Sequence, residues 1–270
     1  MNEDSFISVA IPTFYSSPHI EECLESFINI PIVNEIIIND DGSSKEEYKK
    51  LNKKISKIKS KLNLNIKVSN NKENKGGFKN KYITVSKCKN NVIYQIDSDN
   101  FLTNEGIRFL KNINLDLKIE KLILPGKVNT VFEEKSFLRK KRSFNKIIVS
   151  KKDIALNYKM IKTYLLEKEN SPIPENKQLG LKWLLNLGNP IFNKNFYLDK
   201  LKEGFISENL PLEACSIAMT YFWIKNGGEI QIVNEMMHNQ RIHKDSYYIR
   251  EGDRAKYSVD YFYNKFLELT

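Results

Sequence analysis

The sequence predicts an α/β fold in which helices cover both faces of a mostly parallel sheet. Three observations lead there. Short apolar, β-branched runs alternate with amphipathic stretches of helical period through the first 125 residues, which is the signature of βαβ units. Several of the runs end in polar clusters instead of two-residue hairpin turns. At 270 residues the chain is also long enough to bury a large core.

Phe6 to Pro12 is an apolar run closed by proline, as expected of a buried first strand, and Thr13 to Ser16 forms a polar loop at its end. Ser17-Pro18 then offers a helix N-cap and a first-turn proline, with Glu21 and Glu22 at the positive end of the helix dipole. Ile20, Cys23, Leu24, Phe27 and Ile28 supply its apolar face. A second strand, Glu35 to Asn39, leads into Asp40-Asp41-Gly42-Ser43-Ser44. Glu46 and Glu47 follow serines at capping-box spacing, and Tyr48, Leu51, Ile55, Ile58 and Leu62 mark one face of the next helix. Asn65 to Val68 is a third, weaker strand, and the glycine pair in Asn74 to Asn80 opens a modest helix.

The fourth run, Val92 to Ile96, is the centre of the chain because it ends in Asp97-Ser98-Asp99-Asn100. Two carboxylates just past a strand end can hold a hard divalent cation, which in turn can hold a diphosphate. An Asp-rich turn is the simpler alternative for such a segment.

A helix is expected from Thr103 to Ile113 and a strand from Lys121 to Gly126. Between Lys135 and Lys152 eight basic residues occur without an acidic one. Because Phe137, Leu138, Phe144, Ile147 and Ile148 are interleaved and must pack, this stretch is read as a solvated surface, with an anionic membrane or acidic acceptor as the alternative. Ser171-Pro172-Ile173-Pro174 is a stiff connection. Leu179 to Leu187, with Trp183, is read as core, with the lining of a pocket as the alternative, and Gly188 to Phe192 turns into a short strand. Leu212 to Lys225 is a long helix ended by Asn226-Gly227-Gly228, and Glu229 to Val233 is the last strand. His238 to Ser246 lies beyond its end.

Composition narrows the function classes. With 41% hydrophobic and 28% charged residues the chain has the balance of a soluble globular protein. No apolar run approaches the roughly 18 residues that span a bilayer, and Met1 to Asp4 is acidic where a secretory signal is basic, so a cytoplasmic location is expected. Cys23, Cys88 and Cys215 are too widely spaced for a Cys-x-x-Cys metal or redox motif. The net charge of +10 favours phosphate-bearing partners or an anionic membrane surface.

Four strand ends thus carry polar residues: Thr13, Asp40 with Asp41, Asp97 with Asp99, and His238 to Ser246. One shared edge accounts for all of them, since ligands of open α/β sheets bind outside the carboxyl ends of the strands. This set resembles the family 2 glycosyltransferases of the GT-A fold, whose sheet is Rossmann-like. The likeness rests on Ser8 to Tyr15, Asn39 to Ser44, Asn74 to Gly77 with Lys79-Asn80, and Asp97 to Asn100, in the family's order and at its intervals. It is strong over residues 5 to 110 and thinner afterwards, where Gly188 to Phe192, Gly204-Phe205 and Arg241-Ile242-His243 with Ser246 resemble acceptor-side and closing motifs.

The resemblance implies one continuous domain, with residues 1–125 binding the donor and 126–270 forming the acceptor side and closing segment. It implies transfer of a sugar from a nucleotide diphosphate, UDP above all, to a hydroxyl of a glycan, glycolipid or protein, with inversion, in bacterial-type surface glycan synthesis at the inner face of the membrane. Pro12, Thr13 and Tyr15 would face the nucleoside, Asp41 would accept from the base, and Asp40, Gly76, Lys79, Asp97 and Ser98 would complete the nucleotide site. Asp99, with Asp97 and His243, would bind manganese or magnesium, while Arg241 and Ser246 would close over the phosphates. The family's catalytic Glu-Asp pair is replaced by Pro211 to Ser216, so Glu213 is the expected base and Glu208 the fallback.

Other classes fit less well. A nucleotidyltransferase would carry a glycine-rich loop after the first strand, whereas Pro12 to Ser16 has no glycine. A haloacid-type phosphatase would place Asp-x-Asp after its first strand. A nucleic-acid-binding protein would leave the strand-end carboxylates unexplained. No nucleic-acid partner is therefore expected, and the oligomeric state is not addressed by the sequence.

Overall fold

The computed structural model describes residues 6–59, 61, 64–115, 119–135, 140–150, 152–161, 180–243 and 246–269. The connection expected at 171–174 and part of the basic stretch, residues 136–139 and 151, lie outside these residues, as does the Trp183 side chain.

The first half follows the strand-helix alternation of the sequence: β1 (Ile7–Thr13), α1 (Ile20–Glu25), β2 (Val33–Asp40), α2 (Lys45–Lys59), β3 (Asn65–Asn70), α3 (Gly77–Ser86) and β4 (Val92–Gln95). These four strands are parallel, in the order β3-β2-β1-β4. Side chains alternate across the sheet. Ile7, Val9 and Ile11 of β1 enter one core with Ile36 and Ile38 of β2, whereas Ala10 and Ile37 enter the other. Both faces are therefore covered, which explains why the central strand β1 is buried along its whole length.

The second half extends the same sheet with β9 (Ile191–Asn193), antiparallel to β4, then β6 (Lys121–Lys135) and β10 (Glu229–Ile242), parallel to each other. Short β5 (Phe101–Leu102) and β8 (Ile154–Leu156) pair with β10, and β7 (Lys140–Ile148) pairs with β6. The helices are α4 (Asn104–Asn112), α5 (Gly180–Leu184), α6 (Lys194–Lys200), α7 (Lys202–Ile206), α8 (Cys215–Lys225) and α9 (Tyr247–Glu268). The fully buried Trp223 of α8 donates to Glu120 O at 2.8 Å and ties this helix to the start of β6.

Two expectations are corrected. The last strand does not stop at Val233. A register shift between Val233 and Met237 absorbs the break, and β10 resumes pairing with β6 from Met237 to Ile242. His238 to Ile242 is therefore strand, and β6 likewise runs on to Lys135 to meet β7. Among the described residues no helix is long and apolar enough to cross a membrane.

Candidate active site

A cleft of about 530 Å³ opens at the carboxyl ends of β1, β2 and β4. Its first wall is the loop after β1. Pro12, Thr13 and Tyr15 border it, and Tyr15 is held at φ +50° with its amide donating to Ser43 Oγ at 2.9 Å. After β2 the two aspartates part company. Asp40 turns inward, accepting from Ser43 N and Oγ at 2.8 Å each; burial raises its pKa against those bonds. Asp41 faces the cleft and accepts from the Lys75 and Gly76 amides at 2.9 Å and from Asn71 Nδ2 at 2.8 Å. That grip sets the entry to α3. It is possible because Gly42, at φ +72°, passes so close to Glu73 that a Cβ would lie 2.5 Å from its carbonyl carbon.

Asn80 of α3, 2% exposed, locks these loops together by donating to Thr13 O and Asn39 O while accepting from Asn39 Nδ2 at 2.7 Å. One residue on, Lys81 reaches Asp97 Oδ1 at 2.8 Å. Burial opposes the Lys81 charge, yet Asp97 and the Cys215 sulfur beside it hold the pKa above the ordinary lysine value. The Asp97 amide donates to Asn189 Oδ1 at 2.9 Å, and Ser98 Oγ donates to Ser16 Oγ at 2.7 Å. The carboxylate loop is thus fastened from three directions.

Asp99 Oδ2 lies 3.2 Å from His243 Nε2, and the His19 ring packs against His243 with centroids 4.7 Å apart. Ser246 Oγ accepts from the His243 amide at 3.1 Å, which fixes the segment after β10. Among the described residues no three His, Cys, Asp or Glu side chains form a metal cage. Asp99 and His243 nevertheless fit as two ligands of one. Cis ligands of an octahedral magnesium-sized ion sit about 3 Å apart, and such ions usually take the rest of their shell from phosphates and water.

The opposite wall consists of Gly188 and Asn189 with Glu213 to Ser216. Asn189 adopts φ +58° and is 1% exposed, so backbone strain and burial both serve to present its Oδ1 to Asp97. Glu213 borders the cleft and pairs at 2.6 Å with Arg254 of α9, which is largely exposed.

Of the residues singled out from the sequence, Pro12, Thr13, Tyr15, Asp41, Gly76, Asp97, Ser98, Asp99, Glu213, Arg241, His243 and Ser246 border this one cleft. Four readings need correction. Lys79 does not line it, because the helical phase of α3 turns Asn80 and Lys81 inward; Lys81 is the basic residue there. Glu208 is exposed and outside the lining. Asp40 is outside the lining as well, spent on the turn. Arg241 borders the cleft but has no guanidinium to offer a phosphate. Its side chain is 1% exposed, Nε–H donates to Asp99 O at 3.0 Å, Nη2 to Glu22 at 2.6 Å, and Nη1 bonds Glu133. The exposed arginine at the cleft is Arg250, lying 5.5 Å over the Phe14 ring. Sequence reading missed Lys81 and Arg250, and it named Asn189 and His238 only as members of the stretches 188–192 and 238–246, with no role of their own.

A family model described as glycosyl transferase family 2 matches residues 8–148. Among solved structures, S. aureus TarS 1-349 in complex with UDP-GlcNAc aligns with a TM-score of 0.55 at 17% identity, over 90% of this chain and 60% of that one. The complex of the same protein with UDP gives 0.57 at 18%, over 90% and 62%. S. aureus TarS aligns at 0.53 and 18%, over 97% of this chain and 43% of that one. The chain thus spans about three fifths or less of these proteins, and at such identity the likeness is one of fold. No curated protein sequence matches it.

Proposed function

The chain belongs to glycosyl transferase family 2 and has the GT-A fold, and from that premise we propose that its cleft binds a nucleoside diphosphate sugar and transfers the sugar to an acceptor hydroxyl. One observation carries the reading: Asp41 and the Asp97–Asp99 pair, far apart in sequence, border a single cleft at the carboxyl edge of the sheet. A UDP-linked donor is favoured because the similar TarS fold holds UDP-GlcNAc and UDP. Residues 1–125 form the donor side and residues 126–270 the acceptor side. The acceptor is a glycan, glycolipid or protein hydroxyl, and the setting is bacterial-type surface glycan synthesis.

In this reading the nucleoside lies over the ends of β1 and β2, between the Pro12–Tyr15 loop and Asp41. Asp41 keeps acceptor capacity toward a base N–H although three protein donors already hold it. Asp97, neutralised by Lys81, sits at the ribose and diphosphate. Asp99 and His243 would hold a manganese or magnesium ion, which when bound neutralises charge on the leaving diphosphate. Arg250 adds positive charge on that path. The acceptor oxygen bonds to the anomeric carbon from the face opposite the diphosphate, the carbon–oxygen bond to the diphosphate breaks, and Glu213 takes the hydroxyl proton, giving inversion.

The test is a thermal shift with UDP and manganese, followed by a screen of nucleotide sugars for metal-dependent release of the nucleoside diphosphate. A ligand bound only by the native state must raise the melting temperature. Absence of any shift with any nucleoside diphosphate plus metal would refute the reading.

A further inference from the structure

We propose that His238 hydrogen-bonds the sugar of the donor and helps to select it, an inference that rests on the cleft being a nucleotide-sugar site. Three buried side-chain atoms lack a hydrogen-bond partner among the described residues, in Gln95, Asn234 and His238. Only His238 borders the cleft, and it does so while 2% exposed. Buried polar groups in folded proteins are nearly always satisfied, yet no protein group among the described residues satisfies this one, although its ring forms part of the cleft wall.

Position identifies which part of the ligand. The sheet order runs β2-β1-β4-β9-β6-β10, so β10 lies beyond the carboxylate strand on the side away from the nucleoside. With the diphosphate at Asp97 and Asp99, the group that extends on toward β10 is the sugar. His238 stands on that strand, opposite the cleft-lining Val128 of β6. Its chemistry suits a hydroxyl. Burial lowers its pKa to about 4, against a weaker opposite pull from Asp97, so the ring is neutral near pH 7 and carries one donor and one acceptor nitrogen. Because Nδ1 is committed to no protein group, the tautomer is unfixed and the ring can give or take a hydrogen bond.

The experiment compares the parent chain with His238→Leu and His238→Gln, measuring affinity for UDP and for UDP-GlcNAc, UDP-glucose and UDP-galactose with manganese, and the melting temperature without ligand. His238→Leu is expected to bind UDP as the parent does and to lose roughly tenfold in affinity for the parent's preferred UDP-sugar. His238→Gln recovers part of that loss. The melting temperature should not fall, because leucine fills similar space without an orphan. Unchanged sugar-nucleotide affinity in His238→Leu, or an equal loss for UDP and UDP-sugar, overturns the assignment while leaving the nucleotide site standing. A parent chain that binds neither UDP nor any UDP-sugar overturns the underlying reading and this one with it.

Discussion

The two walls of the cleft hold their carboxylates by different means. On the nucleotide side, Asp41 is gripped by two backbone amides and Asn71, and Asp97 by the buried Lys81 and by Asn189 acting through the backbone. On the acceptor side, Glu213 is held by Arg254, whose side chain is 72% exposed on α9. Backbone and buried partners fix geometry at no further entropic cost, whereas a long exposed arginine gives a weak, adjustable hold. The comparison implies that the donor site is preorganised before any ligand arrives, and that the acceptor wall is free to adjust.

The largest effect that would break this contrast is at Asp99. Asp99→Ala should reduce turnover by about 10³-fold or more and remove the manganese-dependent part of the UDP thermal shift. A variant with full activity would strike out the metal assignment. Glu213→Gln should keep UDP affinity and lose about 10²- to 10⁴-fold in turnover, as expected for a general base. Equal turnover in both proteins would remove Glu213 from the mechanism.

Stability sharpens the comparison next. His238 is neutral when folded and takes up a proton near pH 6.5 when unfolded. Between about pH 6.5 and 4 the unfolded chain therefore binds more protons, and stability falls as the pH drops through that window. The parent should lose up to about 3 kcal/mol more than His238→Leu over this range, read from urea unfolding at several pH values. Parallel curves for the two proteins would show that the ring is not neutral in the fold. Lys81→Met leaves Asp97 without its cation and should cost about 2 kcal/mol, discounted because Asp97 is partly exposed. A loss below about 0.5 kcal/mol would mean that the pair does not anchor the carboxylate loop.

What could be read from the residues alone follows the same division. Strand ends in the first half were visible where an apolar run turns abruptly polar, as at Ile38-Asn39-Asp40 and Ile96-Asp97, and least so at the mixed β3. The error at Lys79 was one of helical phase: α3 is short, and Phe78, Asn80, Lys81, Thr84 and Val85 form its buried side in a pattern too mixed to show period 3.6. The second half was less legible because its strands are set by pairing across long separations. β10 continues past a register shift that the sequence does not mark, so Arg241 read as a loop cation when it is a buried strut between Glu22, Glu133 and Asp99. Asn189 was hidden for a similar reason. Its role depends on a backbone amide supplied 92 residues earlier.

The smallest effect is the most searching, since it asks whether the exposed hold on Glu213 matters at all. Arg254→Gln should change stability by less than about 1 kcal/mol, because ion pairs with an exposed partner contribute little. If Arg254 orients the Glu213 carboxylate toward the acceptor, turnover should still fall by several-fold, roughly 1 kcal/mol of barrier, with UDP affinity unchanged. Loss of charge near the cleft could produce a similar drop by weakening attraction for the diphosphate. The double variant separates the two causes. An orienting arginine has nothing to orient once Glu213 is glutamine, so Glu213→Gln and the double variant should turn over equally. A field effect on the donor would persist in the double variant, making the two losses additive, and Arg254 would then have no part in holding Glu213.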